Sequence, residues 1–246
     1  AGAQMRAATA VVARAAAAQR RARPARVWVG ESGGAYNSGH AVLSGAFADG
    51  FWYAPFLGAN ARGGAGAVCR QTLLGGGYAL LNRSTLEPRP DFFVAALFAR
   101  LMGARVLAVS LSPAAPARAS AGDAPAPTAF VHCARQPQGT HGGVTLLVVN
   151  PTAEAVLLEL PDDAVPRAEY RLTAAGGKLT AHHSELNGRP LAAAPDGSLP
   201  ELAPVIVRGG SKCELTVGAQ SITFFVLPAR PGSECAAGAE VERVNV

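Results

Sequence analysis

Apolar positions in the first hundred residues alternate between helical and strand spacing. Residues 3–22, "AQMRAATAVVARAAAAQRRA", are rich in strong helix formers and predict a helix that Pro24 ends. "RVWVG" follows as a short buried strand, and a glycine-rich loop covers 33–39. A helix is expected around "LSGAFADGFWYAPFLGANA", broken at Pro55, and then a second buried strand, "GAVCRQTL". After the loop Gly75-Gly76-Gly77, "PDFFVAALFARLMG" has apolar residues at helical spacing, Pro90 and Asp91 at its start and Gly103 past its end. Beyond it the pattern becomes short β-type runs: "ARVLAVSLS", "TAFVHCAR", "GGVTLLVVN", "AVLLELP", "AEYRLTA", "LTAHHSELNG", "APVIVRGG", "CELTVG" and "SITFFVLPA". Asn187-Gly188, Asp196-Gly197 and Gly209-Gly210 separate several of them, and 112–128 is a Pro/Ala/Ser-rich insertion read as a loop. The expectation is α/β plus β: a barrel or doubly wound segment over 1–106, then an antiparallel β-sandwich over 107–246.

Composition narrows the function classes. The chain has 246 residues and a formal charge of +5, and no apolar run is long enough to span a membrane. Arg6, Arg14, Arg20, Arg21, Arg23 and Arg26 all precede Glu31, the first acidic residue. A leader of that kind resembles a transit peptide, but a helix with a solvated basic face is the preferred reading. No basic stripe interleaved with aromatics recurs later, so nucleic acid is not an expected partner. Cys69, Cys133, Cys213 and Cys235 form no C-x-x-C, and the pair His182-His183 has no acidic or Cys residue at ligand spacing; no metal site is expected, and the histidine pair is read as a surface loop. Asn82-Arg83-Ser84 is a glycosylation sequon, and Pro151 disqualifies Asn150-Pro151-Thr152.

"VWVGESGGAYNSGH", residues 27–40, holds the candidate chemistry in two incompatible forms. Gly30-Glu31-Ser32-Gly33-Gly34 fits the G-x-S-x-G nucleophile elbow, which would make Ser32 the nucleophile. That turn must run into a helix, yet Gly33, Gly34 and Gly39 follow at once, each costing about 1 kcal/mol in a helix relative to Ala. A serine hydrolase also needs an acid and a His further along one parallel sheet, whereas this chain turns antiparallel. Glu31 is the better candidate. It ends an apolar strand, where barrel enzymes hold catalytic groups, and Tyr36, Asn37 and Ser38 follow as groups able to bind sugar hydroxyls. The next strand carries Arg70 and Gln71, with Gly75-Gly76-Gly77-Tyr78 at its mouth, and glycine-loop N–H groups can hold an anion.

The blocks "VWVGESGGAYNSGH", "FADGFWYAPFLG", "CRQTLLGGGYALLN", "PDFFVAALFARLMG", "HCARQPQGTHGGVTLLVVN", "EYRLTAAGGKLTAHHSELNGRPLA", "SLPELAPV" and "SITFFVLP" resemble, in order, the C-terminal part of the heparanase family, especially its plant members. The resemblance covers residues 26–235. It implies a retaining endo-β-glucuronidase, the last strands and helices of a (β/α)₈ barrel followed by a β-sandwich, and no cofactor. Glu31 matches the family's nucleophile on the seventh barrel strand, and Tyr36-Asn37-Ser38 match a loop that touches the saccharide. Gly76-Gly77-Tyr78 match the segment holding the uronic carboxylate, where Gly77 often stands as Asn, and Gln71 matches a polar residue facing the cleft. Cys133 and Cys235 match a disulfide pinning the sandwich; Cys69, in an apolar strand, is expected reduced in the core, and Cys213 reduced.

The departure is the acid. Retaining hydrolysis uses two carboxyls roughly 5–5.5 Å apart. The family's acid/base is the Glu of an Asn-Glu pair on the fourth barrel strand, and no Asn-Glu occurs in these residues. The expected partners are therefore a glucuronic-acid-containing polysaccharide or proteoglycan glycan and the missing N-terminal part of the barrel. The expected compartment is secreted, extracellular, lysosomal or vacuolar, with membrane association. The rival reading is a non-catalytic carbohydrate-binding or structural protein built on the sandwich.

Overall fold

The computed structural model describes residues 2–19, 25–112, 126–135, 143–160, 166–209, 214–229 and 234–235. Most of the Pro/Ala/Ser-rich insertion, and Cys213, lie outside them. Helix α1 (Gly2–Ala18) leads to strand β1 (Trp28–Ser32). A 3₁₀ turn (Phe47–Asp49) opens α2 (Gly50–Arg62), which β2 (Ala67–Arg70) and α3 (Pro90–Leu101) follow. β1 and β2 pair in parallel as a two-stranded sheet. The remaining strands are antiparallel: β3 (Met102–Leu107), β4 (Thr128–Ala134), β5 (Val144–Asn150), β6 (Val156–Glu159), β7 (Arg167–Ala174), β8 (Ser184–Leu186), β9 (Arg189–Leu191), β10 (Val205–Val207), β11 (Glu214–Val217) and β12 (Ser221–Leu227). The large sheet runs β3-β4-β5-β12-β7-β8-β9, with β10 added on β7, and β11 pairs with β6 separately.

Period-two alternation explains how the layers stack. On β5, Leu147 and Val149 face the helices, whereas Leu146 and Val148 face the β6–β11 pair. On β12, Ile222 and Phe224 join the first cluster and Phe225 the second. The first cluster is continuous from Phe47, Tyr53, Phe93 and Leu97 on the helical side to Phe130, Leu172 and Phe224 on the sheet. The helices therefore dock directly on the large sheet. The contact is close at Gly58, where a Cβ would stand 2.3–2.6 Å from Phe130 ring carbons. Gly58→Ala is expected to cost about 1–3 kcal/mol by overpacking, read as a lowered urea midpoint.

Several expectations change. The helix runs through Pro55 unbroken, because Tyr53, Ala54 and Leu57 are buried on both sides of the missing N–H and packing holds the turn. Neither parallel strand is buried: Trp28 is 63% exposed and Cys69 is an exposed free thiol, not a core residue. Apolar strands read as covered on both faces, but β1 and β2 have no third strand beside them among the described residues. Asn187-Gly188, with both residues at positive φ, turns β8 into β9, a strand the sequence hides because it is three residues long and contains Pro190. Cys133 and Cys235 are disulfide-bonded across 102 residues, as the resemblance implied.

Candidate active site

The parallel pair delivers its chemistry at its C-terminal edge. Trp28 and Val29 register with Ala67 and Val68, but Ser32 registers with Arg70, so β1 holds one extra residue at Gly30–Glu31. This bulge reverses the alternation: Glu31 is exposed and Ser32 is buried. Crowding does not demand glycine at 30, since nothing lies within 4 Å of where its Cβ would be. The Ser32 hydroxyl donates to the Cys69 carbonyl at 3.0 Å, which spends the proton a nucleophilic serine would pass to a base. Ser32 is thus a clamp between the two strands, and Glu31 is the residue presented to solvent.

The neighbouring loops gather most of the other expected residues. Gln71, just past β2, continues the ladder by donating its N–H to the Ser32 carbonyl at 2.8 Å. Its side-chain carbonyl accepts from the Tyr78 hydroxyl at 3.2 Å. The Tyr78 ring is buried and lies 3.0 Å from where a Cβ on Gly33 would stand, so a side chain there would push on the ring. Gly77 donates its N–H to the Ser38 carbonyl at 2.8 Å, joining the two loops. Asn37 and Ser38 both sit at positive φ, a strained conformation for residues with a Cβ. Asn37, Ser38 and Gly77 line a depression of about 440 Å³. Tyr36 is not part of it; the ring is 97% exposed. Asn82 lies apart, its side-chain carbonyl accepting from the N–H groups of Ser84 and Thr85 at 2.9 and 3.3 Å.

Sequence reasoning missed what supports these loops. Arg70, with only 4% of its side chain exposed, contacts Asp49 at 3.0 Å and Asp91 at 2.7 Å. It also donates to the Tyr78 carbonyl and lies over the rings of Trp52, 5.2 Å away, and Tyr53, 4.5 Å away. A lone Arg at the end of an apolar strand was the available signal, since a buried cation requires anions. One guanidinium facing two carboxylates leaves a net negative charge in a dry site. Burial, opposed by Arg70 and reinforced by Asp49, accordingly raises Asp91 from the usual 3.8 to about 8. Because the folded-state value is the higher one, the stabilising contribution is full below about pH 4 and is lost as pH rises toward 8. Asp91→Asn should flatten that part of the profile, measured as melting temperature between pH 4 and 8.

Residues 7–58 match the family model for the N-terminal domain of glycosyl hydrolase family 79. Heparanase-like protein 1 of Arabidopsis thaliana is 35% identical, over 85% of this chain and 42% of that protein. Baicalin-beta-D-glucuronidase of Scutellaria baicalensis is 36% identical, over 82% of this chain and 36% of that protein. The chain belongs to the heparanase-like proteins of glycosyl hydrolase family 79. This heparanase-like chain spans about two fifths of the length of the curated relatives it matches. Among solved structures, the catalytic domain of the GH30 xylanase C from Talaromyces cellulolyticus superposes with a TM-score of 0.52 at 15% identity, covering 85% of this chain and 42% of that one. At that identity the likeness concerns the fold alone, that of TIM-barrel glycosidases with mixed helix and sheet. Among the described residues no three His, Cys, Asp or Glu side chains gather as a metal site, and no helix is long and apolar enough to cross a membrane.

Proposed function

We propose that this chain carries the nucleophile half of a retaining β-glucuronidase of the heparanase type. In this reading β1 and β2 are the last two strands of a (β/α)₈ barrel, and the antiparallel sheets form the β-sandwich that follows it. In this reading the division falls at the end of α3, near residue 101 and a few residues before the boundary expected at 106, because β3 pairs with β4 as an edge strand of the large sheet. The observation that carries the proposal is the placement of Glu31: exposed, on a bulge, at the C-terminal edge of a parallel pair and beside the Gln71–Tyr78 loop.

Glu31 would attack the anomeric carbon while a second carboxylic acid protonates the departing oxygen. Water, deprotonated by that same carboxylate, would then release glucuronate from the glycosyl–Glu31 ester. Gln71, Tyr78 and the N–H groups of Gly75 and Gly76 would orient the sugar and its carboxylate. The other carboxylates of the helical segment are ill suited to the acid's role: Asp49 and Asp91 are bound to Arg70, and Glu87 takes a hydrogen bond from Thr85. The acid is therefore assigned to sequence beyond these residues, as the coverage of the relatives supports. The Cys133–Cys235 disulfide favours an oxidising compartment, secretory or lysosomal and vacuolar.

The chain alone is expected to hydrolyse no aryl β-glucuronide above background, because general acid catalysis typically contributes about 10² to 10⁴-fold. A longer protein that adds the remaining barrel units should hydrolyse it. Turnover by the chain alone, abolished in Glu31→Gln, would locate an acid within these residues; binding without turnover in the longer protein would favour the carbohydrate-binding reading.

A further inference from the structure

We propose that Asn82 is a covalent attachment site for an N-linked glycan, added in the same oxidising compartment that closes the Cys133–Cys235 bond. Neither the asparagine nor the disulfide takes part in the glucuronidase chemistry, so the modification stands whether or not that reading holds. An acceptor asparagine needs a Ser or Thr two residues on with no proline between, an uncommitted amide nitrogen, and a surface position with room for a branched sugar. Of the six asparagines in the chain, Asn82 and Asn150 have Ser or Thr two residues on, and Pro151 follows Asn150. Sequence leaves Asn82. The structure supplies the other two conditions.

Asn82 opens a closed surface loop between β2 and α3. Its backbone N–H donates to the Glu87 carbonyl and the Leu86 N–H donates back to the Asn82 carbonyl, both at 2.9 Å. Every residue from Arg83 to Glu87 is exposed, so the loop has no cover to displace. Within it the Asn82 Oδ1 accepts from the N–H groups of Ser84 and Thr85 at 2.9 and 3.3 Å. A backbone N–H can only donate, so these two bonds decide the orientation of the amide: oxygen into the turn, Nδ2 outward. Nδ2 makes no hydrogen bond among the described residues and is not sealed from solvent. Three other asparagines show the contrast. Asn60 Nδ2 donates to the Phe56 carbonyl at 2.8 Å, and Asn150 Nδ2 to the Glu154 and Gly218 carbonyls at 2.8 and 2.9 Å. Asn187 Nδ2 donates to the Glu169 and Ala203 carbonyls at 3.0 and 3.4 Å. A sugar on any of these amides would break bonds that tie elements together, whereas Asn82 takes one without losing a contact.

The second, independent observation is the Cys133–Cys235 disulfide, which spans 102 residues. Such bonds form and persist along the secretory route, where Asn-linked oligosaccharides are also added. The co-reactant is a polyprenyl-diphosphate-linked oligosaccharide. The Asn82 nitrogen attacks the anomeric carbon of its first sugar, a C–N bond forms as the C–O bond to the diphosphate breaks, and the amide proton passes to the departing diphosphate. The charge-neutral product leaves the turn intact, because Oδ1 keeps both of its donors.

The test is peptide mapping of the full-length protein secreted from a eukaryotic host. One portion is mapped without reduction, to score the Cys133–Cys235 bond. A second is treated with a peptide N-glycanase in water labelled with heavy oxygen, which turns a glycosylated asparagine into an aspartate carrying the label. The label is expected at position 82 and not at Asn150. Ser84→Ala, which keeps Asn82 and the N–H that holds its side chain, should abolish it, as should Asn82→Gln. Ser84→Thr should retain it. The intact disulfide in each variant shows that it folded and travelled the same route, so a missing label reports the sequon alone. Unlabelled Asn82 in disulfide-bonded parent protein would overturn the proposal, and so would a label at 82 that survives Ser84→Ala. Secreted protein with neither the label nor the disulfide would overturn it as well, by removing the compartment on which it rests. No turnover enters the readout, so failure of the glucuronidase reading remains a separate result.

Discussion

Glu31→Gln in the full-length protein is expected to reduce turnover of an aryl β-glucuronide by about 10³-fold or more, with melting behaviour unchanged. The carboxylate is exposed at the bulged end of β1 and no hydrogen bond of the fold depends on it among the described contacts, so its amide costs chemistry rather than stability. Ser32→Ala should behave oppositely. It removes the bond to the Cys69 carbonyl, worth about 1 kcal/mol of stability, and leaves turnover within a few-fold of the parent. The pair of variants separates the two chemistries that the G-x-S-x-G letters allow. Loss of turnover in Ser32→Ala with activity retained in Glu31→Gln would revive the serine-hydrolase reading.

The second large effect is structural. Arg70→Met should destabilise the chain by about 3–5 kcal/mol, because it leaves Asp49 and Asp91 buried without their cation. The loss also removes the donors to the Tyr78 carbonyl and the cation over Trp52 and Tyr53. Arg70→Lys should recover only part, since a point charge cannot serve two carboxylates and a carbonyl as a planar fork does. Adding Asp91→Leu to Arg70→Met should restore stability in part by replacing one stranded buried carboxyl with an apolar side chain. Denaturant midpoints of the four proteins measure these differences. A midpoint for Arg70→Met equal to the parent's would show that the buried network contributes nothing.

The legible parts of the fold were those governed by local periodicity. "PDFFVAALFARLMG" carries its own start, spacing and stop, and α3 spans Pro90–Leu101. "SITFFVLPA" alternates two faces and becomes β12, packed on both sides. Burial of β1 and β2 was misread because an apolar run reports what a strand would bury, not whether a neighbour is present to cover it. The Asp49–Arg70–Asp91 cluster joins three elements and 42 residues of sequence, from the 3₁₀ turn to the start of α3, so no local pattern announces it. Glu31 was singled out as the candidate by its strand-end position and by the resemblance. The bulge that turns it outward, and the clamp that turns Ser32 inward, needed the register of β1 on β2. His182 was legible only as a loop residue, because its partner, Gly45, lies 137 residues away.

The central claim is that Glu31 is a covalent nucleophile, and a mechanism-based trap tests it most directly. The full-length protein would be incubated with an activated 2-deoxy-2-fluoro-glucuronide, digested, and the peptide bearing residues 27–40 sequenced by mass spectrometry. One glucuronyl adduct is expected, located on Glu31 and absent from Glu31→Gln. An adduct on Ser32, or turnover of the reagent with Glu31 unmodified, would contradict it.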